Sequence, residues 1–146
     1  MKRFQKDQLI RFAHCDPAGI VFYPRYIEMI NNLVEDWFAE ALGYSFEQLH
    51  LLVKLAVPTV HLSTDFVKVS RLGETLRLSL QLEKLGTSSC HLAISFHGAQ
   101  ACADDSEKDL RLRAKLVLVS MDMASSRAQA LPSALRSAMQ AYYSDH

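Results

Sequence analysis

Cysteine is scarce in this 146-residue chain. Its three cysteines are an odd number with no paired spacing, which points to neither a disulfide framework nor a zinc site. An excess of charge of one sign is missing too. Sixteen Lys and Arg balance sixteen Asp and Glu, so there is no basic surplus for general nucleic-acid binding. The opening MKRFQKDQLI lacks the continuous apolar core of a signal peptide. No apolar run reaches the roughly 20 residues of a membrane span. There is also no internal repeat, low-complexity segment or linker. These absences leave one domain over residues 1–146, expected in the reducing cytoplasm.

What is present is an ordinary globular composition, 49% hydrophobic and 22% charged, in a chain long enough to bury a real core. Phe4–Ala13 reads as a first strand. Pro24–Leu42 carries Ile27, Ile30, Val34, Trp37, Phe38 and Ala41 at helical spacing, and Met29 and Leu33 widen the stripe, so a long helix buried on most sides is expected. Gly43 suits its end. Ser45–Leu52 reads as a short second helix or an irregular segment. From Ala56 the period becomes two. Val60, Leu62, Thr64 and Phe66 predict a half-buried strand, and the shift of phase to Val67 and Val69 predicts a bulge or twist. Leu76, Leu78, Leu80 and Leu82 define a strand over Thr75–Glu83, and Gly86 turns it into a further strand over Ser89–His97. Gly98–Asp109 reads as a solvated loop, Arg111–Met121 as another strand and Leu131–Tyr142 as a terminal helix. Short connections between the later strands favour antiparallel pairing. The expected class is α+β: an antiparallel sheet of about five strands wrapped around a long central helix. A free strand edge and helix face would need cover, which points to an oligomer.

The stretch His14–Tyr26 (HCDPAGIVFYPRY) carries the chemistry. Pro17 pushes Asp16 into extended geometry. Gly19 permits a positive φ and leaves room for another group to approach. Ile20–Tyr23 is apolar and aromatic where a solvated loop would be polar. Pro24 suits the first position of a helix, which puts Tyr23 at or near the N-cap, and a tyrosine side chain cannot cap. First-turn N–H groups without a side-chain partner can receive an anion or a developing oxyanion. A carboxylate and a set of uncommitted donors flanking a short apolar loop suit acyl transfer. On the residues alone, a poorly capped helix after a tight turn with a surface aspartate explains the pattern equally well.

The segment Phe12–Tyr26, with Asp16, Pro17, Ala18, Gly19, Ile20, Val21, Tyr23 and Pro24, resembles the signature of the hotdog-fold 4-hydroxybenzoyl-CoA thioesterases of the Pseudomonas type. The succession of elements across nearly the whole chain fits that hotdog fold as well. The resemblance implies hydrolysis of an acyl-CoA thioester, with an aromatic acyl group such as hydroxybenzoyl or benzoyl as the leading class. It implies Asp16 as nucleophile or as base toward water, and the Tyr23 backbone N–H as the donor that polarises the thioester carbonyl. Gly19, Ile20, Val21 and Phe22 would line the acyl site, and His61 lies on the strand whose family counterpart is near the substrate. Coenzyme A enters as part of the substrate, and neither a separate cofactor nor a metal is implied. Family members are commonly tetramers built as dimers of dimers, with active sites at subunit interfaces.

This chain departs from that pattern at the phosphate end. The family's dense basic run after the third strand is reduced here to Lys84, which could meet a phosphate or stand in solvent. Arg111, Arg113 and Lys115 alternate on one strand and form either a second basic row or a solvated outer face. An acyl carrier protein therefore stays open as the acyl donor, as does a short-chain ester. A further reading is a subunit that binds acyl thioesters, or serves assembly, without catalysis. His14, His91, His97 and Cys15 read as structural. Glu28, Glu35 and Asp36 on the long helix read as solvated or interface carboxylates, with Glu35 the reserve catalytic candidate because another hotdog branch carries its glutamate on that helix.

Overall fold

Leucines alternate with polar residues along β4 (Thr75–Leu85), and alternation of this kind buries one face of a strand and wets the other. The computed structural model, which describes residues 2–100 and 108–143, buries Leu76, Leu78, Leu80 and Leu82. β4 turns at Gly86, whose N–H donates to the Ser89 carbonyl at 2.8 Å, into β5 (Ser89–Gly98). There Cys90, Leu92, Ile94 and Phe96 continue the same face. β6 (Leu110–Val119) adds Leu112, Ala114, Leu116 and Leu118. β1 (Phe4–Leu9) pairs on the free side of β4, and β3 (Thr59–Phe66) pairs outside β6. The result is a five-stranded antiparallel sheet in the order β1-β4-β5-β6-β3. A two-residue ladder joins β2 (Leu55–Ala56) to β7 (Met121–Asp122).

The apolar face of the sheet packs on α1 (Tyr23–Asp36), which runs on through a more widely wound stretch, Trp37–Leu42. Tyr26, Met29, Ile30, Leu33, Val34, Trp37, Phe38 and Leu42 are buried along it. The helix ends where the sequence predicts. Gly43 takes φ +82°, and the Tyr44 N–H reaches back to the Phe38 carbonyl at 3.0 Å. Ser45 then caps α2 (Phe46–Gln48): its hydroxyl accepts from the Gln48 N–H while the Gln48 side chain accepts from the Ser45 N–H. α3 (Ser133–Gln140) closes the sequence-terminal side by burying Leu135 and Met139, and Tyr142 meets Trp37 edge to face. Phe38 is fully buried, and Phe38→Ala is expected to destabilise the chain by about 3–5 kcal/mol, read as a lower midpoint in urea.

Four sequence expectations need correction or refinement. The first strand stops at Leu9 rather than Ala13, because the chain leaves the sheet there for a 3₁₀ turn at Phe12–His14. β3 is not half-buried: as an edge strand it leaves Val60, Leu62 and Phe66 exposed. The phase shift after it is a bulge in character, since the Val67 and Lys68 N–H groups both donate to the Arg111 carbonyl, at 2.9 and 3.2 Å. Arg111 does not join Arg113 and Lys115 in a solvated row but is buried. Residues 101–107 of the expected loop lie outside the described residues.

Candidate active site

Asp16 opens a loop that folds back on itself. Its N–H donates to the Ile20 carbonyl at 3.0 Å, its carbonyl accepts from the Gly19 N–H at 2.9 Å, and its Oδ1 accepts from the Ala18 N–H at 2.9 Å. That last bond is an Asx turn, which fixes the side chain as well as the backbone. Gly19 closes the turn at φ +77°, the left-handed conformation that the sequence reading asks of it. Cys15 and Val21 then pair across the loop, and the Phe22 N–H donates to the His14 carbonyl at 3.0 Å. The second Asp16 oxygen has no partner among the described residues, and the residue is half-exposed.

The same loop delivers the chain to α1. The N-cap is Phe22, with φ −73° and ψ 124° and no side-chain cap, so Tyr23 is the first helical residue and Pro24 the second. Tyr23 thus stands next to the N-cap, within the expectation, and Pro24 lies one position further into the helix than expected. The shift matters for chemistry. Pro24 has no N–H and the Arg25 N–H is taken by the Phe22 carbonyl at 2.8 Å, while the Tyr23 N–H meets no acceptor among the described residues. It is an orphan donor at the positive end of a long helix. One short loop thus carries a carboxylate with a free oxygen and a helix N–H without a partner, two groups that can attack and polarise a carbonyl placed between them.

The surroundings are aromatic. Phe22 and Tyr23 meet edge to face at 5.6 Å, Tyr23 meets Phe66 of β3 at 6.1 Å, and Phe66 meets Tyr26 at 5.9 Å. Phe22, Tyr23 and Phe66 are all half or more exposed, and Phe12 is 83% exposed beside the turn. A concentration of bare aromatic rings on one end of a molecule marks a ligand or partner surface. Phe66 was visible in the sequence only as a strand residue; its position just before a phase shift was the available signal. Of the other expected lining residues, Ile20 is half-exposed, whereas Val21 turns into the core. An apolar crevice of about 210 Å³ between α1, β3 and β6 is lined by Ile27, Ile30, Val34, Leu62, Leu116 and Leu118. Ile27 lies one helical turn beyond Tyr23 on the same face.

His61 and Lys84 are not gathered at this site within the chain. Phe66 marks the Asp16 end of β3, and His61 lies five residues up the strand, about 17 Å away. Thr75 marks that end of β4, and Lys84 is about 30 Å further along. Glu35 is exposed and about 18 Å along the helix from Tyr23. Glu28 pairs with Arg25 at 2.8 Å, and Asp36 lies 3.9 Å from Lys6. His14 accepts the Arg11 N–H at Nδ1, 2.9 Å, and burial with the nearby Arg11 and Arg25 charges lowers its pKa, so it is a neutral structural acceptor. Cys90 is sealed in the core, where burial pushes its thiol up to about 12, and Cys15 is half-buried. A polar cavity of about 350 Å³ flanks the turn, lined by Gln8, Arg11, His14, Arg25, Glu28 and Asn32 among others.

The chain is similar to known proteins in sequence and in fold. The family described as the thioesterase-like superfamily matches residues 10–139. Two relatives named 1,4-dihydroxy-2-naphthoyl-CoA hydrolase match over part of the chain. The one from Nostoc punctiforme is 28% identical over 57% of this chain and 55% of its own length, and the one from Thermosynechococcus vestitus is 27% identical over 62% of each. The chain thus spans little more than half the length of the curated relatives it matches. In fold, a 1,4-dihydroxy-2-naphthoyl-CoA thioesterase from Synechocystis superposes with a TM-score of 0.83 at 20% identity, covering 95% of this chain and 96% of that one. A Staphylococcus aureus protein in complex with CoA gives 0.85 at 14% identity, over 97% and 84% of the two chains. These solved structures establish the hotdog fold. With a family match that takes in the Asp16 turn, α1 and the sheet from β3 through β6, the chain belongs to the thioesterase-like superfamily.

Proposed function

We propose that this chain hydrolyses an aromatic acyl-CoA thioester to the free acid and CoA. The observation that carries the reading is the presence, on one self-bonded loop, of the Asp16 carboxylate and of a Tyr23 N–H that has no partner among the described residues. The thioester carbonyl oxygen sits on the Tyr23 N–H, where the helix dipole stabilises the charge that develops on it. Asp16 approaches the carbonyl carbon from the other side, either as nucleophile or as base for water, and the CoA thiolate leaves. The exposed rings of Phe22, Tyr23 and Phe66 offer edge and face contacts to an aromatic acyl group, and the crevice beginning at Ile27 offers it an apolar bed. Hydroxybenzoyl and dihydroxynaphthoyl groups are the leading candidates, the first from the signature at Asp16 and the second from the named relatives. Arg11 and Arg25 at the neighbouring polar cavity supply counter-charge for the CoA phosphates nearer the turn than Lys84 does.

The bare β3 edge, with Val60 60% and Phe66 51% exposed, favours assembly through that strand and hence a homo-oligomer, such as a tetramer formed as a dimer of dimers. Light scattering should then return a multiple of the 16.5 kDa chain mass; a monomer would remove this part of the proposal. The activity itself is tested by thiol release from benzoyl-, 4-hydroxybenzoyl-, 1,4-dihydroxy-2-naphthoyl-, short-chain and long-chain acyl-CoA. The expected result is preference for an aromatic ester by at least about tenfold in kcat/KM, the scale of one or two well-made pocket contacts. Turnover confined to carrier-protein esters would move the reading to that substrate. Protection of every ester from hydrolysis would move it to a binding protein.

A further inference from the structure

Arg111 is the one charged side chain buried among the described residues, 4% exposed. It owes its place to a slip of register: Phe96 faces Leu112 and His97 faces Leu110, which leaves Arg111 as the extra residue of a bulge in β6. Its guanidinium is saturated. Nε donates to Asp109 Oδ1 at 2.9 Å, and Nη2 donates to Asp109 Oδ2 at 3.0 Å and to Glu74 Oε2 at 2.9 Å. Nη1 donates to Glu74 Oε1 at 3.0 Å, Ser70 Oγ at 3.1 Å and the Val69 carbonyl at 3.3 Å. Lys68 reaches Asp109 Oδ1 at 2.8 Å, so two cations face two carboxylates. Gly98 makes the room, since a side chain there would collide with the Asp109 carboxylate. Hydrogen bonds from Arg111 lower the Glu74 pKa and, with Lys68, hold Asp109 at about 2, so the cluster is fully ionised at neutral pH.

The segment fixed by this cluster, residues 69–74, is the one on which the Asp16 turn is built. The Val21 N–H donates to the Ser70 carbonyl at 3.0 Å, the Leu72 N–H donates to the Gly19 carbonyl at 3.0 Å, and Ile20 pairs with Arg71. On the other side of the turn the Ile10 N–H donates to the Glu74 carbonyl at 2.8 Å, and the Gly73 N–H donates to the Ile10 carbonyl at 2.9 Å. Both ends of the stretch that carries Asp16 therefore rest on backbone that Arg111 holds. We propose that Arg111 is a positioning residue for thioester hydrolysis, fixing the Asp16 carboxylate relative to the Tyr23 N–H through the residue 69–74 segment. Stability alone gives a buried ion cluster little advantage, because well-packed apolar replacements of similar volume for the whole set are often neutral or stabilising. Position is different, since a displacement of about 1 Å at the reacting groups lowers a rate about 10²-fold.

The kinetic half of this inference rests on the hydrolytic reading above; the structural half does not. In the triple variant Arg111→Met, Glu74→Gln, Asp109→Asn, which removes the guanidinium and both its carboxylates and leaves only the exposed Lys68 charged, kcat for the best aromatic ester is expected to fall between about 10-fold and 10²-fold, with KM changed little. Amide exchange at Val21 and Leu72 should speed up at least about tenfold while Leu92 and Ile94 in β5 stay protected. Arg111→Lys, which keeps the charge but not the fork, should recover part of both effects. It also serves as the readout if the triple variant does not fold. Wild-type kcat in these variants, or unchanged exchange at Val21 and Leu72, overturns the proposal. If the wild type hydrolyses no ester the hydrolytic reading fails by itself, and the exchange measurement alone decides whether Arg111 holds the turn.

Discussion

Asp16→Asn should lower kcat for the best aromatic acyl-CoA by about 10³-fold, within the 10²–10⁴-fold range that a positioned acid–base group contributes. The substitution is a clean one at this position. Oδ1 of Asp16 serves the loop by accepting the Ala18 N–H, and an amide oxygen can do the same, so the turn and the fold should persist. What disappears is the anionic oxygen that has no partner among the described residues, and with it both possible modes of attack. Melting temperature and KM should stay close to wild type while kcat collapses, the signature of a contact used only in the transition state. The measurement is thiol release from the two proteins side by side, corrected for the protein's own thiols. A variant that keeps more than about a tenth of wild-type kcat would mean that Asp16 does no chemistry, and Glu35 would become the carboxylate to test.

The second large effect concerns a backbone group, which side-chain truncation cannot reach. Tyr23→Pro deletes the N–H proposed to hold the oxyanion, and the local geometry accepts it. Tyr23 is the first helical residue, where proline is favoured, and Phe22 at φ −73° and ψ 124° already has the extended conformation that a following proline requires. Loss of one oxyanion donor corresponds to about 10²–10³-fold in kcat, roughly 2.7–4 kcal/mol. Tyr23→Ala is the matched control. It removes the ring that meets Phe22 and Phe66 but keeps the N–H, so it should raise KM for aromatic esters and leave kcat largely intact. Equal kcat values for the two variants would show that the N–H takes no part.

The division between what could and could not be read from the chain follows sequence separation. Asp16, Gly19 and Tyr23 fall within eight residues, and the chemistry of a proline, a glycine and an uncappable helix start is local, so the turn was legible down to its positive φ. The alternation in β4 and β5 and the long stripe of α1 were legible for the same reason, since period alone specifies which face is buried. The order of strands was not. It determines that β3 is a bare edge, that Phe66 meets Tyr23 across 43 positions, and that Arg111 reaches Ser70 and Glu74 across 41 and 37. Arg111 also defeats alternation outright, because a bulge changes the face of the residue it inserts. The same dependence on strand direction separates His61 and Lys84 from the turn: each lies far up a strand whose opposite end touches the site.

The most direct test of the central claim is a crystal structure of the Asp16→Asn protein with an aromatic acyl-CoA bound. The thioester carbonyl oxygen should lie 2.7–3.1 Å from the Tyr23 nitrogen, the distance expected of an oxyanion donor. The side chain at position 16 should face the carbonyl carbon from the opposite side at about 3–3.5 Å, directly or through one water. An ester bound with its carbonyl turned away from the start of α1, or bound at another face of the sheet, would contradict the account.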